Sequence, residues 1–103
     1  MKPIGTHNYY VYITTNKNKT VLYVGVSSNL KKRILEHEGE IDGKKHAFTA
    51  RYNVFYLVYY ERFDFIEHAI AREKQIKGWK RLKKNDLISS FNPNWEFLNN
   101  KID

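Results

Sequence analysis

Five residues in this chain have the types and spacing to do chemistry together: Tyr12, Tyr23, Arg33, His37 and Glu73. Two tyrosines sit in two short apolar runs. An arginine and a histidine follow four residues apart, one helical turn. A glutamate stands alone on an otherwise apolar helical stripe. A small core does not need that combination. A site that cuts phosphodiester bonds could use all of it: phenols and an imidazole to move protons, a guanidinium to hold a phosphate, a carboxylate to hold a cation.

These residues need a frame. Residues 9–14 and 21–26 are rich in β-branched and aromatic side chains, with Asn16-Lys17-Asn18-Lys19 between them. That pattern reads as a β-hairpin. A turn centred between Lys17 and Asn18 would pair Tyr12 directly with Tyr23 and put both hydroxyls on one sheet face; a slip by one residue would separate them. Ser27-Ser28-Asn29 supplies capping residues for a helix from about Leu30 to His37, closed by Gly39. Leu30 and Ile34 define its inner stripe, and Arg33 and His37 fall at the edge of that stripe, on one side.

Residues 39–53 are polar and carry Gly43, Lys44, Lys45, His46 and Arg51. They read as a basic loop that could act as a strand-contacting flap. Val54 to Glu61 reads as a third, central strand. A second helix is expected over Asp64 to Trp79, with Ile66, Ala69, Ile70 and Ile76 on its inner face and Glu73 in the middle of that face. An ionised carboxylate there is costly unless it is paired or bound to metal. A pair with Arg33 or another cation is one account; a metal ligand at the floor of a site is the other. Lys77, Lys80, Arg81, Lys83 and Lys84 run into a short third helix, about Lys80 to Ser90. Asn92-Pro93-Asn94-Trp95 closes the fold, with Trp95 packed back on the core.

Length and charge bound the answer. The chain has 103 residues, which means a single domain, with a core spanning about 8–96. Its 18 Lys and Arg outnumber 11 Asp and Glu, giving a net charge of +7. That balance points to a polyanionic partner, nucleic acid first. The absence of cysteine excludes disulfides, thiol chemistry and Cys-based zinc sites, and fits a cytoplasmic protein. No window approaches a membrane span or a signal peptide. His7, His46 and His68 show no metal-ligand spacing.

On these residues the sequence resembles the GIY-YIG endonuclease superfamily, over residues 9 to about 95. The first triplet stands here as Tyr10-Val11-Tyr12 and the second as Tyr23-Val24-Gly25. Arg33 and His37 follow at family-like spacing, and Ala71-Arg72-Glu73-Lys74-Gln75-Ile76-Lys77 resembles the segment with the metal-binding glutamate. In overall shape the chain is similar to the small single-domain, excinuclease-C-like (YhbQ-like) members. The first triplet departs from the pattern in its glycine and isoleucine. Asn92 stands where the family often has a late polar residue.

The resemblance implies a fold and an activity. The fold is α/β (α+β), a small three-stranded, mostly antiparallel sheet flanked by about three helices. The activity is metal-dependent hydrolysis of phosphodiester bonds in DNA, in repair or recombination, with Mg²⁺ or Mn²⁺ on Glu73. Tyr12 would be the general base, Tyr23 would position the attacking water or a phosphate oxygen, Arg33 would hold the scissile phosphate, and His37 would orient Tyr12 or relay its proton. Hydrolysis would be a one-metal single displacement leaving a 5′ phosphate and a 3′ hydroxyl. Lys31, Lys32, Lys44, Lys45, Arg51 and Lys77 are the expected nucleic-acid contacts. DNA is the expected partner, RNA the alternative, with a protein partner for targeting.

Each residue also has an ordinary account: sheet tyrosines, a surface arginine, a histidine favoured at a helix C-terminus. Two further functions compete, a non-catalytic nucleic-acid-binding module of the same fold and a basic interaction domain. A footprint of this size predicts weak, salt-sensitive binding guided by structure or strand.

Overall fold

The computed structural model describes residues 8–37 and 53–102 of the chain. Three strands, β1 (Tyr9–Thr15), β2 (Leu22–Ser27) and β3 (Tyr56–Phe63), form one antiparallel sheet in the order β2-β1-β3. Helix α1 (Leu30–His37) follows β2; helices α2 (Ile66–Lys77) and α3 (Arg81–Phe91) follow β3, and a 3-10 turn covers Asn99–Lys101. The expected fold class is the one observed. The central strand, however, is β1 and not the third strand. Val11 to Thr15 are all buried, as a strand flanked on both edges requires, whereas the end of β3 opens to solvent.

The hairpin register differs from the simplest reading. Tyr12 lies across from Gly25, and Tyr23 across from Thr14. The turn closes later than expected because Asn16 fixes it. The Lys19 amide donates to the Asn16 carbonyl at 2.9 Å, and the Asn16 side chain accepts from the amides of Thr20 and Val21 at 2.8 and 3.1 Å. Lys19 takes a left-handed conformation, φ 59°, to complete it. The offset is two residues, and side chains alternate with period two. Both tyrosines therefore keep the same sheet face.

The two faces carry separate clusters. Val11, Ile13, Val24, Val58 and Tyr59 pack with Ala69 and Ile76 of α2 and Ile88 of α3. Tyr12 and Leu57 pack with Leu30 and Ile34 of α1. A register shift between Ile13 and Thr14 lets Val58 and Tyr59 join one face while Leu57 serves the other. Each fully buried Leu or Ile here contributes roughly 1.5–3 kcal/mol.

Helix α1 starts as its sequence predicts: the Asn29 side chain accepts from the Lys32 amide at 3.1 Å, and the Asn29 amide donates to Ser27 Oγ at 3.0 Å. Helix α2 is shorter than expected. Its inner face is Ala69, Glu73 and Ile76, while Ile66 and Ile70 are 44% and 37% exposed. Trp95 packs against the α2 and α3 side as expected, with Nε1 donating to Ser89 Oγ at 2.9 Å. Gly39, Lys44, Lys45, Arg51 and the expected flap lie outside the described residues, as do His7 and His46. No helix among the described residues is long and apolar enough to cross a membrane.

Candidate active site

Tyr12 is the centre of the site. Its ring is fully buried between the sheet and α1, and its hydroxyl lies 2.8 Å from Nε2 of His37, which is itself only 2% exposed. The partners come from different elements: β1 presents Tyr12, and the last turn of α1 presents His37. Leu30 and Ile34 anchor α1 on the sheet, so the Tyr12–His37 distance is set by core packing. Tyr23 completes a cluster of three rings, its centroid 6.3 Å from Tyr12 and 5.5 Å from His37, edge-on to the imidazole.

Two charged groups border this cluster. Arg33, one turn before His37, is half-buried, pairs with Glu36 at 3.2 Å, and lies close enough to Tyr12 to act on it by charge and hydrogen bonding. It also lines a cleft of about 310 Å³ with Ser27, Ser28, Asn29, Lys32 and Glu36. Glu73 comes from α2; its charge too is felt at Tyr12. Its carboxylate is mostly covered, 15% exposed, and pairs with Lys77 at 3.3 Å, rather than with Arg33.

Burial, above all, pushes the Tyr12 hydroxyl well above its ordinary value of 10.0. The neighbouring Tyr23 and Glu73 push the same way, while Arg33 opposes them by charge and hydrogen bonding. Near neutral pH Tyr12 is therefore a phenol. It can exchange its proton along the short contact to His37, but it does not lose it to solvent.

Gly25 belongs to the site in a way that sequence reasoning missed. A Cβ there would stand 2.5 Å from the Tyr12 hydroxyl oxygen and 2.6 Å from Cζ. The hydroxyl end of the Tyr12 ring can lie this close to β2 because Gly25 has no side chain. An isolated glycine inside a strand is the usual mark of such a close approach, but the pairing that puts it opposite Tyr12 was not legible. Asn92, by contrast, is structural: its Nδ2 donates to the carbonyls of Val58 and Glu96 at 3.1 and 2.8 Å, and its Oδ1 accepts from the Glu96 amide at 3.0 Å. Lys31 and Lys32 are exposed on α1, and Lys77 is half-exposed beside Glu73. His68 lies at the surface against Phe65, 5.5 Å between ring centroids.

The donor set can be tested for a cation. Among the described residues no three His, Asp or Glu side chains gather to enclose an ion. One partly covered carboxylate fits a different mode, in which Mg²⁺ keeps much of its water and takes further oxygens from a phosphate.

The candidate site is thus a buried Tyr–His pair bordered by Arg33 and the Glu73 carboxylate, on a three-stranded sheet. Residues 8–86 match the model of the GIY-YIG catalytic domain, and the chain belongs to that family. It is similar to UPF0213 proteins of several organisms. The one from Natronomonas pharaonis is 34% identical over 82 residues, covering 80% of this chain and 92% of that protein. The one from Staphylococcus saprophyticus is 37% identical over 81 residues, covering 79% and 94%. The solution NMR structure of the UPF0213 protein from Bacillus halodurans superposes with a TM-score of 0.54 at 28% identity, covering 86% of this chain and 90% of that one.

Proposed function

We propose that this protein is a divalent-metal-dependent endonuclease that hydrolyses phosphodiester bonds in DNA. The observation that carries the reading is the buried 2.8 Å contact between the Tyr12 hydroxyl and His37 Nε2, with Arg33 and Glu73 acting on the same hydroxyl. A stable core has no use for a phenol held against an imidazole and flanked by both charges. A proton-transfer site does.

Tyr12 takes the proton of the attacking water at its phenol oxygen as its own proton passes to His37 Nε2. This relay answers the difficulty that burial creates, because no free phenolate has to form. Tyr23, packed against both rings, positions the water or a phosphate oxygen. Arg33 offers its planar fork to the scissile phosphate in the cleft along α1, where Lys32 adds charge. Mg²⁺ or Mn²⁺ on Glu73 would supply positive charge at the phosphate and the leaving 3′ oxygen. Lys77 now neutralises Glu73 and would release it to a cation.

The test is cleavage of labelled duplex, single-stranded, flap and four-way-junction DNA, with Mg²⁺, Mn²⁺ or EDTA, by wild type and Glu73→Ala. Cutting that needs the metal and Glu73, with binding kept within a few fold in the variant, is the expected result. Binding without cutting across the panel would replace the enzyme with a nucleic-acid-binding module. Equal loss of cutting and binding in Glu73→Ala would make Glu73 structural.

A further inference from the structure

A second surface of this molecule carries charge that the site does not use. The loop between β1 and β2 and the start of α3 meet, and together they present Lys17, Lys19, Lys80, Arg81, Lys83 and Lys84, with no carboxylate in residues 16–20 or 80–85. Arg81 holds the two segments together: its guanidinium donates to the carbonyls of Thr20 at 2.8 Å and Lys19 at 2.9 Å, and to Asn85 Oδ1 at 2.9 Å. The loop is fixed from its own side by Asn16. This is a built surface rather than a set of separate side chains.

Three of its cations serve the fold, Arg81 through its hydrogen bonds and Lys19 and Lys83 over the rings of Phe97 and Trp79, 5.3 and 4.4 Å from the ring centroids; the other three do not. Lys17, Lys80 and Lys84 make no side-chain hydrogen bond or ion pair among the described residues. Helix α3 has no acidic residue in its first turn and no side-chain cap. Cations at a helix N-terminus oppose the macrodipole, and Lys80 and Lys84, four residues apart, repel one another. An arrangement that local energetics disfavours is explained by an anion that binds there.

The surface shares elements with the site: β2, which follows the loop, carries Tyr23, and α2, which precedes α3, carries Glu73. Tyr23 lies three residues beyond Thr20, roughly 10 Å of extended chain. Glu73 lies one helical turn before Lys77, at the end of α2 that feeds α3. A nucleic-acid strand rises about 3.4 Å per nucleotide, so the stretch from Thr20 to Tyr23 corresponds to about three nucleotides.

We propose that this corner, the β1–β2 loop with the start of α3, is a backbone-binding surface that grips the phosphates of a double-stranded arm beside the cleavage site. The proposal rests on the nuclease reading for its orientation, but not for its test. It assigns the duplex grip to Lys17, Lys80 and Lys84, which lie away from the α1 lysines.

The experiment measures binding of the full chain to a labelled DNA duplex in EDTA, by fluorescence anisotropy, across about 50 to 200 mM salt. In the triple variant Lys17→Gln, Lys80→Gln, Lys84→Gln the slope of log K against log salt is expected to fall by about 3, with affinity down on the order of 100-fold near 0.1 M salt. The matching triple change to arginine restores both. Lys17→Gln alone, at a loop tip, lowers the slope by about 1 and serves if the triple variant fails to fold. Wild-type slope in the glutamine variants would overturn the proposal. So would a larger loss from Lys31→Gln with Lys32→Gln, or equal binding to polyglutamate or anionic vesicles through the same three lysines. Patch-dependent duplex binding by a chain that cuts nothing would sink the nuclease reading and leave this one standing; cutting with an affinity indifferent to the three lysines would do the reverse.

Discussion

Replacing Gly25 with alanine should damage the site through a single added carbon. The new Cβ would stand 2.5 Å from the Tyr12 hydroxyl oxygen and 2.6 Å from Cζ, about 1 Å inside ordinary contact. The strand cannot retreat, because β2 is paired with β1 from Leu22 to Ser27. Tyr12 must move, and it is fully buried against Leu30, Ile34 and Leu57. A shift of about 1 Å away from β2 would stretch or break its 2.8 Å contact with His37. Overpacking of this kind costs about 1–3 kcal/mol of stability, and a misplacement of about 1 Å at a reacting group costs on the order of 100-fold in rate. Urea denaturation gives the first number and single-turnover cleavage the second. Tyr12→Phe separates the causes: if Gly25→Ala acts through the Tyr12 hydroxyl, adding it to Tyr12→Phe lowers the rate little further. An alanine variant with wild-type stability and wild-type cleavage would refute the reasoning.

Tyr12 and Tyr59 give a pH signature. Burial raises both hydroxyls well above 10.0, and for Tyr59 the hydrogen bond to Glu61 adds to it while Arg72 opposes. The unfolded chain releases these protons near pH 10 and the folded chain only above it. Their contribution is thus complete below pH 10 and is lost as pH rises beyond it, by up to about 1.4 kcal/mol per pH unit for each tyrosine; urea midpoints at rising pH should show the loss, reduced in Tyr12→Phe and in Tyr59→Phe. Asn92→Ala strips the buried Val58 carbonyl of its partner and should lower stability by about 1–3 kcal/mol, read by thermal or urea unfolding, while cleavage per folded molecule stays at the wild-type level.

Much of this site was legible in the sequence because helical and strand periods are rigid. Arg33 and His37 had to share an edge of α1 once Leu30 and Ile34 faced the sheet. Tyr12 and Tyr23 kept a common face despite a register error, since the error was an even number of residues. The register itself was hidden: Asn16-Lys17-Asn18-Lys19 contains no glycine to mark the left-handed position, and Lys19 takes it at φ 59°. Strand order was hidden as well. All three strands read as apolar runs, and only tertiary packing decides which is covered on both edges.

The inner face of α2 shows how a small angular error misplaces a stripe. Centred on Ala69, Glu73 and Ile76, the face leaves Ile66 roughly 55° and Ile70 roughly 95° away, so both isoleucines reach the surface. Hydrophobicity alone drew the stripe toward them and made Glu73 look like an intruder at its middle. Glu73 is instead one of the three residues that define the face, covered by the fold and neutralised by Lys77. The same packing that makes its charge costly brings that charge to bear on Tyr12. Burial makes the Tyr12 hydroxyl a weaker acid, and among the described residues its short contact runs to His37. Gly25 and α1 hold that contact at its length, so in the proposed reaction residues with no chemistry of their own decide whether the proton can pass.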